Sequence, residues 1–284
     1  MNRARPVAWD ATALVLAALA IATPSSAVWI GLAIALLATL GLGHGAYDLE
    51  LASGNRRRFV ATYLATSAIV LVVWWVWPAL ALVSFLAVSA WHFGQADLAH
   101  LPAHPGRRLL QASRGVLFVG LPLALHADDA VPILDALGVT LALPSAVTRA
   151  VAVGVVLQHA ALFAVIVPQR QHARELFALT PALVLLTGLP LLPGFVLAFS
   201  LNHAAAHVHA LRLRDRPRSA HLRAAALWLC ALLGTLLAGW LLLDGDVPAR
   251  WWALAFAALS ALTFPHMAVV HRWHALRVRC EPPA

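Results

Sequence analysis

The stretch RRRFVATYLATSAIVLVVWWVWPALALVSFLAVSAWHFGQAD, residues 56–97, decides the fold of this chain. It opens on three arginines, runs through apolar residues at 59–77 that end in WWVW, passes Pro78, and returns through a second apolar run at 79–97. Each run is close to the ~20 helical residues that cross a bilayer core about 30 Å thick. Tryptophan is typical of the membrane–water interface. The stretch therefore predicts two consecutive membrane-spanning helices with an aromatic belt between them.

The same pattern extends over the whole chain. Of its 284 residues, 62% are hydrophobic and 11% are charged, against about 45–50% and about 25% in a soluble domain. Because backbone polar groups in lipid must be satisfied within the span, helices are expected. We predict an all-α, polytopic transmembrane bundle of about ten spans that forms a single integral-membrane domain, residues 1–284. The predicted spans are 7–23, 28–48, 59–77, 79–97, 109–126, 146–167, 175–191, 193–211, 222–243 and 251–271.

The arginines predict the orientation of these spans. The net charge is +8, and all twenty basic residues are arginine. With the N-terminus inside and the spans alternating, eighteen arginines fall on inside segments and only Arg149 and Arg250 fall outside. Cytoplasmic loops collect positive charge, so both termini are predicted to be cytoplasmic, in a multi-pass protein of the cell inner membrane. The arginines lie in short loops between apolar runs, which argues against nucleic-acid binding. The first apolar run is interpreted as a span rather than a cleaved signal peptide.

Histidines concentrate in five apolar segments. Ionisable groups inside spans are costly and indicate function. The five segments lie on the second, fourth, sixth, eighth and tenth spans, which all run from outside to inside, so the histidines are expected at one depth. The segments are GLGHGAYD at 41–48, WHFGQAD at 91–97, QH at 158–159, NHAAAHVHA at 202–210 and FPHMAVVHRWH at 264–274.

Four of these histidines predict a metal site. His203 and His207 are four residues apart, which places both imidazoles on one helix face. With His44 and His92 the set contains four imidazoles from three helices, and imidazole suits iron, zinc or copper. A single histidine near the end of a span is otherwise an interfacial or helix-dipole residue. The pair on one face is the stronger indication of a metal.

Other polar and aromatic residues near the four histidines have two interpretations each. Asp48 and Asp97 follow His44 and His92 by four and five residues, and either orient an imidazole through its second nitrogen or cap a span at the membrane surface. His159 and His266 either contact a ligand or line a cavity. The aromatic residues beside the histidines either line a substrate tunnel or pack the core; they are Trp91, Phe93 and Phe264.

The order and spacing of these motifs resemble the Brp/Blh family of membrane beta-carotene 15,15'-dioxygenases. The segments that carry the resemblance are GLGHGAYDLE, WHFGQADL, NHAAAHVHA and TFPHMAVV, spread over residues 41–270. The resemblance implies a non-haem Fe(II) bound by His44, His92, His203 and His207 without a carboxylate ligand. It further implies that beta-carotene and O2 are the substrates and that two retinals are the products, for which a rhodopsin would be a possible downstream acceptor.

Three other classes of protein are compatible with a histidine-rich membrane bundle. A haem or electron-transfer protein would use paired histidines as axial ligands, which leaves His207 redundant, and it would show a Soret band. A di-iron desaturase needs HxxxH and HxxHH clusters, and this chain has one HxxxH and no HxxHH. A transporter with protonatable histidines would act without bound metal, so metal analysis separates it from an oxygenase.

Overall fold

The computed structural model describes residues 7–23, 27–41, 43, 45–51, 55–140, 144–210, 217–242 and 248–280. Over these ranges the chain is helical apart from turns and connections. In chain order the α-helices are α1 Val7–Ala22, α2 Ala27–Leu36, α3 Asp48–Leu51, α4 Arg56–Val76, α5 Pro78–Asp97, α6 Arg107–Leu125, α7 Ala127–Ala136, α8 Ser145–Ile166, α9 Gln169–Gly188, α10 Leu191–Ala198, α11 Ala205–Ala210, α12 Arg218–Leu242 and α13 Pro248–Cys280. Two π-helical segments, Leu37–Gly41 and Phe199–Ala204, extend α2 and join α10 to α11.

In the described residues, each predicted span overlaps at least one helix, although the seventh, 175–191, runs past the end of α9 at Gly188. Within the described ranges, six helices are long and apolar enough to cross a membrane, as expected of a membrane protein. They are Gly31–Leu51, Arg56–Val76, Pro78–Asp97, Arg107–Leu125, Ser145–Ile166 and Leu191–His209. The count of ten spans and the cytoplasmic termini stay predictions. The short helix α7, between the fifth and sixth predicted spans, was not predicted.

The chain divides into two compact units, and the first contains Met1–Gly41, Ser89–Pro132 and Leu141–Arg214. Within it α6 packs on α8, α1 packs on α9, and α10 packs on α9 and α2. Two apolar clusters lie around α6 and α8: Leu117, Leu121, Ala124, Ala152 and Leu179 in one, and Leu98, Leu101, Leu110, Phe163 and Val167 in the other.

Two glycines in this first unit bring the backbones of α5 and α6 together. A Cβ on Gly94 would lie 1.7 Å from the Gln111 carbonyl oxygen, and a Cβ on Gly115 would lie 1.6 Å from the Ala90 carbonyl oxygen. Each glycine therefore faces the backbone of the other helix, so no larger residue fits at this crossing. Small residues allow such close approach between membrane helices. The crossing determines which face of α5 is turned towards α6.

The second unit contains Leu42–Val88, Ile133–Thr140 and Asp215–Ala284. Helix α4 begins after Asn55, whose side chain accepts hydrogen bonds from the backbone N–H groups of Arg57 and Arg58, as is usual for an N-cap. Along its length α4 packs against α13, and the Trp74 indole N–H donates to the Ser260 hydroxyl. The cluster at this contact consists of Val70, Trp74, Ala81, Leu82 and Ala261.

Candidate metal and substrate site

The pair His203 and His207 lies at a break in helix geometry. His203 is inside the π-helical segment Phe199–Ala204, and His207 is in α11. Both side chains are buried. Their rings lie 6.4 Å apart between centroids and are nearly parallel, with an interplanar angle of 14°. The two imidazoles therefore share one helix face, as their spacing predicted. Single π-helical turns within α-helices occur frequently at functional sites.

His92 of α5 is brought to His203 by the packing of the first unit. The ring centroids of His92 and His203 are 4.7 Å apart, with the rings edge to face at 72°. His92 is also buried. The two residues are more than a hundred positions apart in the sequence, so tertiary packing alone brings them together. Of the four predicted ligands, His92, His203 and His207 lie in the same unit, whereas His44 lies outside the described residues.

The His92–His203 pair has a separation that suits one metal ion. Two imidazoles with metal–nitrogen bonds of about 2.0–2.1 Å have ring centroids about 4.5–5 Å apart when they are neighbouring ligands. The 4.7 Å separation fits this range, and the 6.4 Å separation of His203 from His207 exceeds it. Within the part of the chain that the structure describes, no three His, Cys, Asp or Glu side chains form a complete metal site. The side chains that lie close together here are imidazoles, which are common ligands of iron, zinc and copper.

Aromatic rings surround His203. The Phe93 ring lies edge to face with His203, with the centroids 4.7 Å apart, and the Phe199 ring stacks on it at 5.6 Å. Phe93 also contacts Phe118 and Phe195. These rings give the imidazole an apolar surrounding that excludes water. Phe93 was predicted beside the histidines as a tunnel or core residue, and it contacts His203 directly.

Gly41, at the end of the π-helical segment that extends α2, allows this segment to approach the aromatic group closely. A Cβ on Gly41 would lie 3.2 Å from Cε1 of Phe199 and 2.9 Å from Cδ1 of Leu37. Gly41 is the last residue of the other π-helical segment, Leu37–Gly41, and that segment packs against Phe199–Ala204. The first predicted motif, which contains His44, begins at this glycine. Each π-helical segment thus overlaps one of the two motifs that carry three of the predicted ligands, at Gly41 in the first and at residues 202–204 in the second.

A buried ionic cluster links α5, α6 and α8 in the same unit. Nη1 of Arg114 lies 2.8 Å from Oδ2 of Asp97, and Nε of Arg114 donates to Nε2 of His159 at 3.1 Å. Because arginine has no acceptor atom, Nε2 must accept, and the ring proton is on Nδ1, which lies 3.2 Å from the Ser113 hydroxyl. Both ring nitrogens of His159 are thus used by the protein. In this arrangement His159 is not a metal ligand, and Asp97 binds an arginine.

Arg114 was missed as a site residue because it was assigned only to the positive charge of the inside segments. Its side chain is 3% exposed, whereas that of Asp97 is 31% exposed. The signal was present in the sequence, since Arg114 lies five residues into the predicted span 109–126. An ionisable residue at such a position needs a partner of opposite charge.

The second unit has its own buried polar group, formed by Asp48, His266 and Tyr63. Nδ1 of His266 lies 2.8 Å and 3.0 Å from the two carboxylate oxygens of Asp48, and the Tyr63 hydroxyl donates to Oδ2 of Asp48 at 3.1 Å. The carboxylate requires a proton on Nδ1, so Nε2 is the ring nitrogen that can act as acceptor or ligand. A carboxylate that binds the second nitrogen of an imidazole is the usual support of a metal-ligating or catalytic histidine. Asp48 thus contacts His266, and its predicted role of orienting a metal-ligating imidazole stays a prediction.

The other two predicted aromatic residues are Phe264 and Trp91. Phe264 packs against the apolar cluster between α4 and α13, which agrees with its interpretation as a core residue. Trp91 precedes His92 on α5 and is half-buried.

Comparison with known proteins gives one match. The family model described as beta-carotene 15,15'-dioxygenase matches residues 34–274. This range includes all five histidine segments. No curated protein matches the chain, and no solved structure matches it.

Proposed function

The chain belongs to the beta-carotene 15,15'-dioxygenase family, and from that premise we propose that it cleaves beta-carotene with O2 at the central double bond to give two retinals. The observation that carries the proposal is the match over residues 34–274, which covers the four histidines of the predicted metal site. The meeting of His92 and His203 within an aromatic group supports it. A haem or transporter function receives no comparable support.

We propose that His44, His92, His203 and His207 bind a non-haem Fe(II). Support comes from the 4.7 Å separation of the His92 and His203 rings and from the position of His207 on the same helix face as His203. When bound, Fe(II) would supply the capacity to activate O2 for attack on the alkene. The residues of the chain then have two tasks, which are to hold the ion and to keep water away from it. Phe93 and Phe199, which contact His203, perform the second task.

The substrate is proposed to enter from the bilayer. Beta-carotene is an apolar polyene that dissolves in lipid, so a membrane enzyme can receive it laterally without moving it through water. The group Phe93, Phe118, Phe195 and Phe199 offers an apolar aromatic surface beside His203 for such a chain. Trp91, the neighbour of His92, is proposed to contribute to the substrate cavity.

Asp48 and His266 are proposed to form a supporting polar group of the second unit rather than to add a ligand. The Asp48 carboxylate and the Tyr63 hydroxyl hold the His266 ring in one tautomer. A ring fixed in this way can accept one hydrogen bond at Nε2 with a defined direction. The cluster of Asp97, Arg114 and His159 has a comparable role for α5, since it binds the end of the helix that carries His92.

The cellular setting follows from the arginine distribution and the helices. We propose ten spans with both termini in the cytoplasm, in the cell inner membrane, folded as one integral-membrane domain. The retinal product is proposed to pass to a rhodopsin as its downstream acceptor.

Expression in bacteria that accumulate beta-carotene tests the proposed activity. We expect the orange colour to fade and retinal to appear in the extracted pigments, with His203→Ala abolishing both changes. His104→Ala is the matched control, because His104 is exposed in the turn before α6 and should leave the conversion intact. Unchanged pigment in cells that contain folded, iron-loaded protein would reject beta-carotene as the substrate.

A further inference from the structure

The π-helical segment around His203 changes the hydrogen bonding of its backbone. In a regular α-helix the Leu201 carbonyl would accept from the N–H of Ala205, four residues later. Here the Ala205 N–H binds the Ser200 carbonyl, five residues back. The Leu201 carbonyl has therefore lost its regular partner, two residues before the proposed ligand His203. Within a membrane span, a backbone carbonyl in this position needs another donor.

Trp9 supplies that donor from the first helix. Its indole Nε1 donates to the Leu201 carbonyl oxygen at 2.9 Å, across 192 positions of sequence. Helix α1, which carries Trp9, packs on α9 in the same unit. A tryptophan near the start of a span usually anchors in the interface, with its N–H towards water or headgroups. Here the N–H points to a carbonyl whose regular α-helical donor, the Ala205 N–H, binds Ser200 instead.

A second side chain acts on the same turn. Nδ2 of Asn202 donates to the Ala198 carbonyl oxygen at 3.1 Å. Asn202 is buried and precedes His203 directly. The π-helical turn is thus bound by one side chain from within it and by one from α1. The direction in which the His203 ring leaves the helix depends on this turn. A π-helical turn contains one more residue than an α-helical turn, so it rotates the residues that follow it about the helix axis.

We propose that Trp9 is a positioning residue for His203: its indole N–H satisfies the Leu201 carbonyl and thereby stabilises the π-helical turn that aims the imidazole. The inference rests on the proposed function in so far as His203 is taken to bind the iron. It assigns a role to α1, although the match to the family begins only at residue 34. Helix α1 is therefore part of the site's support and not only a membrane anchor.

The test compares two replacements of Trp9 in the full-length protein reconstituted in lipid nanodiscs. Trp9→Phe removes the N–H and part of the ring, and 3-benzothienylalanine at position 9 replaces the N–H by sulfur while it keeps the shape. Trp75→Phe is the matched control, because the Trp75 side chain is 90% exposed and lies on α4. A defect shared by both Trp9 replacements belongs to the lost hydrogen bond, because only the N–H is missing from both.

The first measurement is hydrogen–deuterium exchange of the metal-free protein. We expect the amides of residues 199–207 to exchange about 2–10-fold faster in both Trp9 replacements, which corresponds to the loss of one net hydrogen bond. Exchange in α8 and α4 should stay unchanged, as should all exchange in Trp75→Phe. Equal exchange of residues 199–207 in wild type and in the benzothienylalanine protein would overturn the proposal.

The second measurement is the dissociation constant for Fe(II). We expect it to rise by a similar factor in both Trp9 replacements, with turnover recovered at saturating Fe(II), since the ligands themselves are intact. Because the exchange measurement uses neither metal nor substrate, it remains decisive if the wild-type protein does not bind iron. In that case the proposed function fails, while the role of Trp9 in the π-helical turn is judged independently.

Discussion

At the residue scale, His203 has the largest number of ring contacts among the three predicted ligands that the structure describes. It contacts His92, Phe93 and Phe199, and it lies within a turn bound by Asn202 and Trp9. Each contact removes rotational freedom from the imidazole before any metal binds. A ligand that is held in place in this way loses less entropy on binding, so affinity is gained from the packing around it.

Removal of single imidazoles should therefore remove the metal. We expect His92→Ala, His203→Ala and His207→Ala each to reduce the iron per protein to background, because the proposed site has no spare donor. Iron is measured by mass spectrometry on protein purified from iron-supplemented cells. His104→Ala serves as the control with wild-type iron content. Wild-type iron in His203→Ala or His207→Ala would show that the ligand assignment is wrong.

The ion pair between Asp97 and Arg114 leads to a prediction about the free energy of unfolding. Arg114 is buried and Asp97 is partly exposed, so removal of Asp97 and removal of Arg114 should destabilise the protein by different amounts. Asp97→Asn leaves a buried guanidinium without its counter-charge and should cost about 3–5 kcal/mol. Arg114→Met leaves a carboxylate that water can reach and a His159 nitrogen without its donor, which should cost about 1–3 kcal/mol.

Unfolding of the detergent-solubilised protein in SDS measures these differences. The double variant Asp97→Asn with Arg114→Met should be no less stable than Arg114→Met alone, because the uncompensated charge is then absent. If Asp97→Asn unfolds like the wild type, the buried ion pair does not stabilise the contact between α5 and α6.

At the scale of elements, the crossing of α5 and α6 is the tightest backbone contact on which the site depends. Gly94→Ala and Gly115→Ala should each destabilise the protein by about 1–3 kcal/mol or more, since the added methyl group would overlap a carbonyl oxygen of the facing helix. The iron content should fall in both variants, because α5 carries His92.

Gly154→Ala is the control for this effect. A Cβ on Gly154 of α8 would meet nothing within 4 Å, so the variant should gain about 0.5–1 kcal/mol from helix propensity alone. The same unfolding measurement and the same iron analysis apply to all three variants. Equal stability of Gly94→Ala and Gly154→Ala would contradict the close crossing.

At the scale of the whole molecule, the arginine distribution predicts the topology. If the ten predicted spans alternate, eighteen of the twenty arginines fall on the side of the termini, which predicts that both termini are cytoplasmic. Green fluorescent protein fused after Ala284 should fluoresce, and alkaline phosphatase fused at the same point should be inactive. Phosphatase fused after Gly138, between the fifth and sixth predicted spans, should be active. The opposite pattern at either point would exclude ten spans in this orientation.

The existence of the helices could be predicted from the sequence because membrane-spanning helices are local structures. Each span satisfies its own backbone and is recognised by its apolar length, and so each of the ten predicted segments overlaps a helix in the described residues. The relation between His203 and His207 is also local, because a spacing of four residues on one helix predicts that both rings lie on the same face. The family resemblance also depended only on motifs that can be read along the chain, and the family match bears it out.

Only the tertiary structure decided which polar groups meet. Apolar length determines where a helix crosses the bilayer, but it does not determine how the helix is rotated or which helix lies beside it. Asp48 therefore binds His266, Asp97 binds Arg114, and the Leu201 carbonyl binds Trp9, in each case across helices. The physical reason is that the rotation of a helix and the choice of its neighbouring helix depend on close backbone contacts, such as that of Gly94 with Gln111. These contacts join residues from different spans and leave no periodic signal in the sequence of either span.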